Sequence, residues 1–283
     1  MRLTPSLRLV AFLAASLLSP NTARTQTPDQ SSAPPLGPAG GSGPASSESR
    51  GSPGAATSGK AAMALLNNAI AAIERAKALN STSEMQIMAS TQGTAFVFKE
   101  RLHLVTLRPQ RFHSDITVLS GDGTPGTRYT VICDGDNVWT YQPGARRYAV
   151  TPCLDFFDNN LSASLGVFGG MLAEGDLPGG LNLKTLTRSG VRVQGGTRIV
   201  DGVEYSVVTI SAPKQGLSLR FLLDPQTATI RRLDMAGRQQ QVTFAITERM
   251  LQQSPSPALP ASLFRFAPPP GVRRVEKISI GPF

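Results

Sequence analysis

Few residues in this chain are equipped for chemistry. There are two histidines, His103 and His113, and two cysteines, Cys133 and Cys153. A zinc site needs three or four nitrogen, sulfur or oxygen ligands at close spacing. A Ser-His-Asp triad needs a histidine oriented by a carboxylate. Both histidines sit in strand-like sequence with neither pattern around them, so no catalytic residue, metal or cofactor is expected. The cysteines lie twenty positions apart, without the C-x-x-C spacing of a functional thiol pair. In an oxidising compartment they are either a structural disulfide or two buried free thiols.

Two short motifs imitate binding loops. Gly121-Asp-Gly-Thr-Pro-Gly126 matches G-x-G-x-x-G, but a dinucleotide fingerprint runs from a strand straight into a helix. Pro125 and the strand-like sequence after it make this a hairpin loop. Asp134-Gly135-Asp136 lacks the periodic ligands and terminal Glu of a calcium loop and reads as a turn. What stands out instead is apolar surface. Phe96, Phe98, Leu102 and Leu104 share one parity of a strand, and Phe112, Trp139, Tyr141 and Phe221 fall in others. Phe156, Phe157, Leu161, Phe168 and Leu172 recur at near-helical spacing between Leu154 and Leu172, diluted by Gly166, Gly169 and Gly170. In a closed structure these side chains are core; in an open curved sheet they line a cavity.

The elements that must position them are mostly strands. Met63, Leu66, Ile70 and Ile73 repeat at spacings of 3 and 4 and predict a helix over Lys60 to Leu79, stopped at Asn80. The period then changes to two. Strands are expected from about Glu84, over Thr94 to Leu107, Arg111 to Leu119, Arg128 to Cys133, Val138 to Tyr141 and Arg147 to Val150. They resume over Lys184 to Val193, Arg198 to Val200, Glu204 to Ile210, Leu217 to Leu223, Thr229 to Asp234 and Gln241 to Thr247. Turn residues such as Gly121-Asp-Gly, Pro143-Gly144, Asp201-Gly202 and Asp224-Pro225 punctuate them, which is the pattern of an antiparallel meander. Ten or eleven strands with few helices predict a mainly β, α+β fold: an unclosed antiparallel β-barrel or strongly curved sheet with a helical lid.

The N-terminus carries an address. Arg2 and Arg8 precede an uncharged apolar run from Leu9 to Leu18, then Pro20 and a cleavage position at Ala23. That order is a secretory signal, too short for a membrane-spanning helix, so the protein is expected in the periplasm. From Arg24 to Gly59, 29 of 36 residues are Pro, Gly, Ser, Ala or Thr; such a linker has too little apolar surface to order itself. Residues 60–283 then form one domain. Lys and Arg number 28 against 19 Asp and Glu, a net charge of +9. Arginine doublets stand at Arg146-Arg147, Arg231-Arg232 and Arg273-Arg274. They suit either anionic lipid head groups or an ordinary basic surface.

Three segments in order resemble the LolA family of periplasmic lipoprotein carriers. Arg108-Pro-Gln-Arg-Phe112 resembles its "RP-x-x-F" strand signature. Asp134-Gly-Asp-Asn-Val-Trp139-Thr-Tyr141-Gln-Pro143 is similar to its "DGK-x-x-W-x-Y-x-P" turn and strand. Leu263-Phe-Arg-Phe-Ala-Pro-Pro-Pro-Gly-Val272 is similar to its "F-x-F-x-PP-x-G-V" ending. The resemblance covers about Lys60 to Val275 and is strongest with a branch of predicted periplasmic proteins. It implies an unclosed barrel with a helical lid over a cavity for acyl chains, and so favours the cavity over the filled core. It also implies that Arg108 takes the role of the family's lid-gating arginine. The central insertion and the Pro-rich leader depart from the family pattern, and the cysteines are not part of it.

The expected function is therefore a non-enzymatic periplasmic binder or carrier of a lipid, lipoprotein acyl chain or other hydrophobic envelope ligand. The alternative is an envelope sensor or interaction module presented on a flexible tether. A transient membrane or membrane-protein partner suits either reading; a nucleic-acid partner is not expected, and the protein is expected to be a monomer.

Overall fold

The computed structural model describes residues 58–280, leaving out 77, 92–93, 108–110, 154, 157–164, 168, 170–190, 240 and 256–258. The expected signal, nearly all of the linker, Arg108, Phe157, Leu161, Phe168 and Leu172 lie outside the described residues.

The chain opens with helix α1 (Gly59–Glu74), capped by Ser58, whose side chain accepts a hydrogen bond from the Ala61 amide. Leu66, Ala62 and Ala69 are buried, with Met63, Ile70 and Ile73 packed beside them. The apolar stripe was thus legible, but the helix ends five residues before Leu79. Leu79 and Asn80 belong instead to strand β1 (Ala78–Thr91). There the backbone is hydrogen-bonded on both sides, to β2 (Thr94–Leu107) and β11 (Val242–Pro255). Two ladders outweigh the modest helix preference of this polar segment.

The remaining strands are β3 (Arg111–Leu119), β4 (Pro125–Cys133), β5 (Asn137–Gln142), β6 (Arg147–Pro152), β7 (Arg192–Val200), β8 (Val203–Ala212), β9 (Leu217–Leu223), β10 (Ile230–Gln239) and β12 (Arg273–Arg274). They form one sheet in the order β12-β6-β5-β4-β3-β2-β1-β11-β10-β9-β8-β7. Every pairing is antiparallel except β12 on β6. The described strands make one large unclosed sheet: β7 and β12 are its two ends and are not paired with each other. Gly121 to Gly126 is the β3–β4 hairpin, closed by hydrogen bonds from Ser120 and Gly123 amides. Asp134 caps the β4–β5 turn by accepting from the Asp136 and Asn137 amides. β7 is one continuous strand where the sequence suggested a break before Arg198.

Strand alternation gives the sheet two faces. The inner face carries the main core: Met85, Ile87, Phe98, Leu102, Leu104, Phe112, Ile116, Val131, Phe221 and their neighbours form one buried cluster. Helix α1 covers it at the β7–β8 end, where a side chain at Gly59 would stand 2.5 Å from the Val193 carbonyl oxygen. On the outer face the C-terminal segment lies across β3 to β6. Phe264 is buried there, and Phe266 sits between Tyr141 and Tyr148 at ring distances of 5.6 and 5.4 Å. Past β12 the chain rounds the β6 edge, so that Ile278 and Ile280 join the inner core. The "F-x-F-x-PP-x-G-V" segment is thus a strap over one end of the sheet.

Candidate functional site

Seven of the apolar residues singled out from the sequence fall together. Phe98, Leu102, Leu104, Phe112, Phe156 and Phe221 belong to the inner cluster, with Phe96 packed against it. Trp139 and Tyr141 do not. β5 has no clean alternation in its sequence, and register decides its faces: Val138 and Thr140 oppose the inner residues Cys133 and Val131. Trp139 and Tyr141 therefore lie on the outer face, and Tyr141 packs under Phe266.

The inner face of β2, β3 and β11 is covered by the short helical residues 155–156 and 165–167. Phe156 meets Phe112 with ring centroids 6.5 Å apart. A side chain at Gly169 would come within 2.6 Å of Leu104 Cδ2. At Gly166 the backbone has φ 67°, and a side chain there would collide with the Glu248 carboxylate. These glycines let the backbone lie directly on the sheet, an approach that any larger residue would hold off.

Polar side chains interrupt this apolar face, and sequence reasoning missed them. Glu100 and Glu248 are 0% and 1% exposed. Both oppose Met85, on β2 and β11 respectively, so the two carboxylates flank one methionine. Ser83 Oγ donates to Glu248 Oε1 at 2.9 Å. Neither oxygen of Glu100 has a hydrogen-bond partner; nor do Ser114 Oγ and Gln253 Nε2 nearby on the same face. Burial, and after it the charge of Glu248, pushes the Glu100 carboxyl well above the usual carboxylate range. The signal was in the sequence: Glu100 sits in the middle of the Phe96, Phe98, Leu102, Leu104 parity, and Glu248 continues Val242, Phe244, Ile246.

The residues that looked chemical lie elsewhere. Both histidines are on the outer face. His103 Nε2 is 3.0 Å from Asn80 Oδ1. His113 Nδ1 is 3.0 Å from the Leu263 carbonyl oxygen, and its Nε2 is 3.2 Å from Asp115 Oδ2. Burial alone would lower the His113 pKa, but the Asp115 and Leu263 bonds outweigh it and raise it. Its two acceptors suit an imidazolium that fastens the C-terminal strap to β3. Cys133 and Cys153 are both buried, with their sulfurs 2.8 Å apart. They join the end of β4 to the start of the helical residues that lead to Phe156. The hydrogen bond to Cys153, together with burial, pushes the Cys133 thiol up. The parallel β12–β6 pairing sets Arg273 opposite Arg147 and so gathers two of the three arginine doublets at one end of the sheet.

No family model matches the chain, and no curated protein matches it significantly. Solved structures similar to it include a LolA superfamily protein. That protein, from Nitrosomonas europaea, is 10% identical; the match covers 72% of this chain and 97% of that one, with a TM-score of 0.29. The lipoprotein LppX of Mycobacterium tuberculosis is 13% identical over 71% of this chain and 99% of its own, with a TM-score of 0.41. An uncharacterized conserved protein of Thermus thermophilus is 10% identical over 77% and 99%, with a TM-score of 0.39. At these identities and scores the likeness carries no argument about what this chain binds. The architecture rests on its own strand order.

Proposed function

We propose that this protein is a non-catalytic carrier or binder of a hydrophobic envelope molecule, held on the inner face of the sheet beneath a displaceable helical lid. The observation that supports it most is how that face is covered. Over β2, β3 and β11 the cover includes short helical turns seated through Gly166 and Gly169. A short, glycine-diluted cover of this kind would open at small free-energy cost. Opening would expose Leu104, Phe112 and their neighbours. An acyl chain laid there would recover about 0.8 kcal/mol for each CH2 buried.

The LolA resemblance of the sequence points the same way, and the secretory signal would deliver the protein to the periplasm, where such molecules are moved between membranes. The arginines gathered beside β12 would favour transient contact with anionic lipid surfaces. Arg108, which lies outside the described residues, keeps the gating role the resemblance implies.

Native mass spectrometry of protein purified from an exported fraction should find a co-purifying amphiphile, and the delipidated protein should bind a fluorescent fatty-acid analogue. A delipidated protein that binds no alkyl ligand would overturn the reading. If that same protein crosslinks to a membrane protein, it is an interaction module.

A further inference from the structure

The carrier reading leaves Glu100 unexplained. A core built only to hold alkyl chains gains nothing from a carboxyl group at its centre, because a buried polar group without a partner costs free energy. Glu100 is nevertheless fully buried, on one of the sheet's central strands. Among the described residues, neither of its oxygens has a hydrogen-bond partner. Phe98 and Leu102 flank it on the same face of β2, with Met85 opposite it on β1 and Val118 opposite it on β3. None of these side chains can donate a hydrogen bond. Glu248 is no part of this gap, since Ser83 already donates to it. Ser114 Oγ and Gln253 Nε2 are unpartnered too, but they lie on the cross-strand row of Leu104. That row is about 13 Å along the strand from Glu100, beyond the reach of one small head group.

Burial, ahead of any neighbouring charge, raises the Glu100 pKa and favours the uncharged acid. An uncharged carboxyl group presents one O–H donor and one carbonyl acceptor side by side. That pattern selects between ligand head groups by hydrogen bonding alone. An ester has acceptors and no donor, so it leaves the Glu100 carbonyl oxygen unpaired. An ammonium group has donors and no acceptor, so it leaves the O–H unpaired. A single hydroxyl oxygen cannot lie in line with both. A carboxylic acid or a primary amide carries its own donor and acceptor side by side, and closes two parallel hydrogen bonds with Glu100. Every other head leaves one buried group unmatched, at the full cost of its desolvation. The row that holds Glu100 and Met85 continues to Glu248, on which Gly166 of the cover rests. Displacing that cover would open the row from its Glu248 end.

We propose that Glu100 is the receptor for the head group of an amphiphile ending in a carboxylic acid or a primary amide, paired to it through two parallel hydrogen bonds. The proposal rests on the carrier reading and names its ligand class. From that pair the alkyl chain runs along the Leu102, Ile116 and Leu104 side chains of the apolar inner face.

The test is calorimetric titration of the delipidated full-length mature protein at pH 7 with octanamide, methyl octanoate and octanoate, each below its micellar concentration. Octanamide should bind tighter than methyl octanoate, which has the same chain and a carbonyl but no donor. Glu100→Met should lower the amide-to-ester affinity ratio by at least about tenfold, the factor that the lost hydrogen bonds supply. Glu100→Gln should keep the amide preference, because a glutamine side chain offers the same donor and acceptor side by side. Octanoate can enter the pair only by taking up one proton, read from the heats in two buffers of unequal ionisation enthalpy. Binding with that uptake assigns the site to fatty acids; binding of octanamide without octanoate assigns it to amides. Octanoate bound with no proton taken up would overturn the paired head group and leave the carrier reading standing. So would an ester bound as tightly as the amide by the unaltered protein, or an amide preference undiminished in Glu100→Met. Failure of all three ligands to bind would overturn both.

Discussion

Glu84 and Glu100 sit on neighbouring strands and have opposite lives. Glu84 faces outward between Arg101 and Arg249, accepting from them at 2.6 and 3.1 Å. Those bonds, the Arg101 bond first, hold its carboxyl below the usual range against a smaller opposing effect of burial. Glu100 faces inward with no partner, and its carboxyl is driven up. The contrast extends over both faces. Outside, Asp234 takes Arg232 and Thr247 as partners, and Asp115 takes His113 and Thr130. Inside, among the described residues, apolar packing is continuous except at the two glutamates and a few small or uncharged polar groups. The outer face has the satisfied cross-strand pairs of a finished, solvent-facing sheet. The inner face holds a polar cost that folding alone does not require, and such sites are where function is to be sought.

Three substitutions put this comparison at risk. The largest effect is expected at Phe221, which is wholly buried on the inner face of β9. Phe221→Ala should cost about 3–5 kcal/mol through lost transfer energy and the cavity left behind, measured by urea unfolding. A loss below about 1 kcal/mol, the scale of a surface change, would mean that this face is not close-packed.

Next, Glu100→Met should stabilise the protein by about 1–3 kcal/mol at pH 7, because it removes a buried acid with no partner. The folded pKa of Glu100 lies above its unfolded value, so the native state holds its proton more tightly. The stability of the unaltered protein is then full below the ordinary glutamate pKa and falls as pH rises through the folded one. The gain in the variant should accordingly shrink as pH drops towards 4.5. A variant that is less stable than the parent at every pH would show that Glu100 is a satisfied structural residue.

The smallest effect is expected at Glu84. Its partners Arg101 and Arg249 are more than half exposed, so water and salt screen the pairs. Glu84→Ala should cost less than about 1 kcal/mol, and less still in high salt. A larger loss would mean that the outer ladder, and not the inner core, holds the central strands together.

Much of this division was legible in the chain. The parity of Phe96, Phe98, Leu102 and Leu104 assigned β2 its inner face because side chains alternate across a strand. The bounds of β2, β3 and β9 came out as expected since Gly, Pro and Asp turns mark their ends. The Met63, Leu66, Ile70 and Ile73 stripe fixed the helix, though not its end. Where β1 began could not be read from Leu79 and Asn80, whose strand geometry comes from two partners far away in the chain. Trp139 and Tyr141 went to the outer face by register with β4, and no local pattern in β5 specifies that register.

What the sequence determined by itself was therefore the alternation: which side chains travel together along each strand, Glu100 among the phenylalanines included. What only the tertiary structure decided was which strands lie side by side. That step set Glu248 across Met85 from Glu100 although nearly 150 residues of chain separate them. It put Gly166 on Glu248, brought Cys153 to Cys133, and carried Arg273 to Arg147. The physical reason is that alternation is a property of neighbouring backbone torsions. Juxtaposition depends on loop closures and ladder registers whose free energy is spread over the whole sheet.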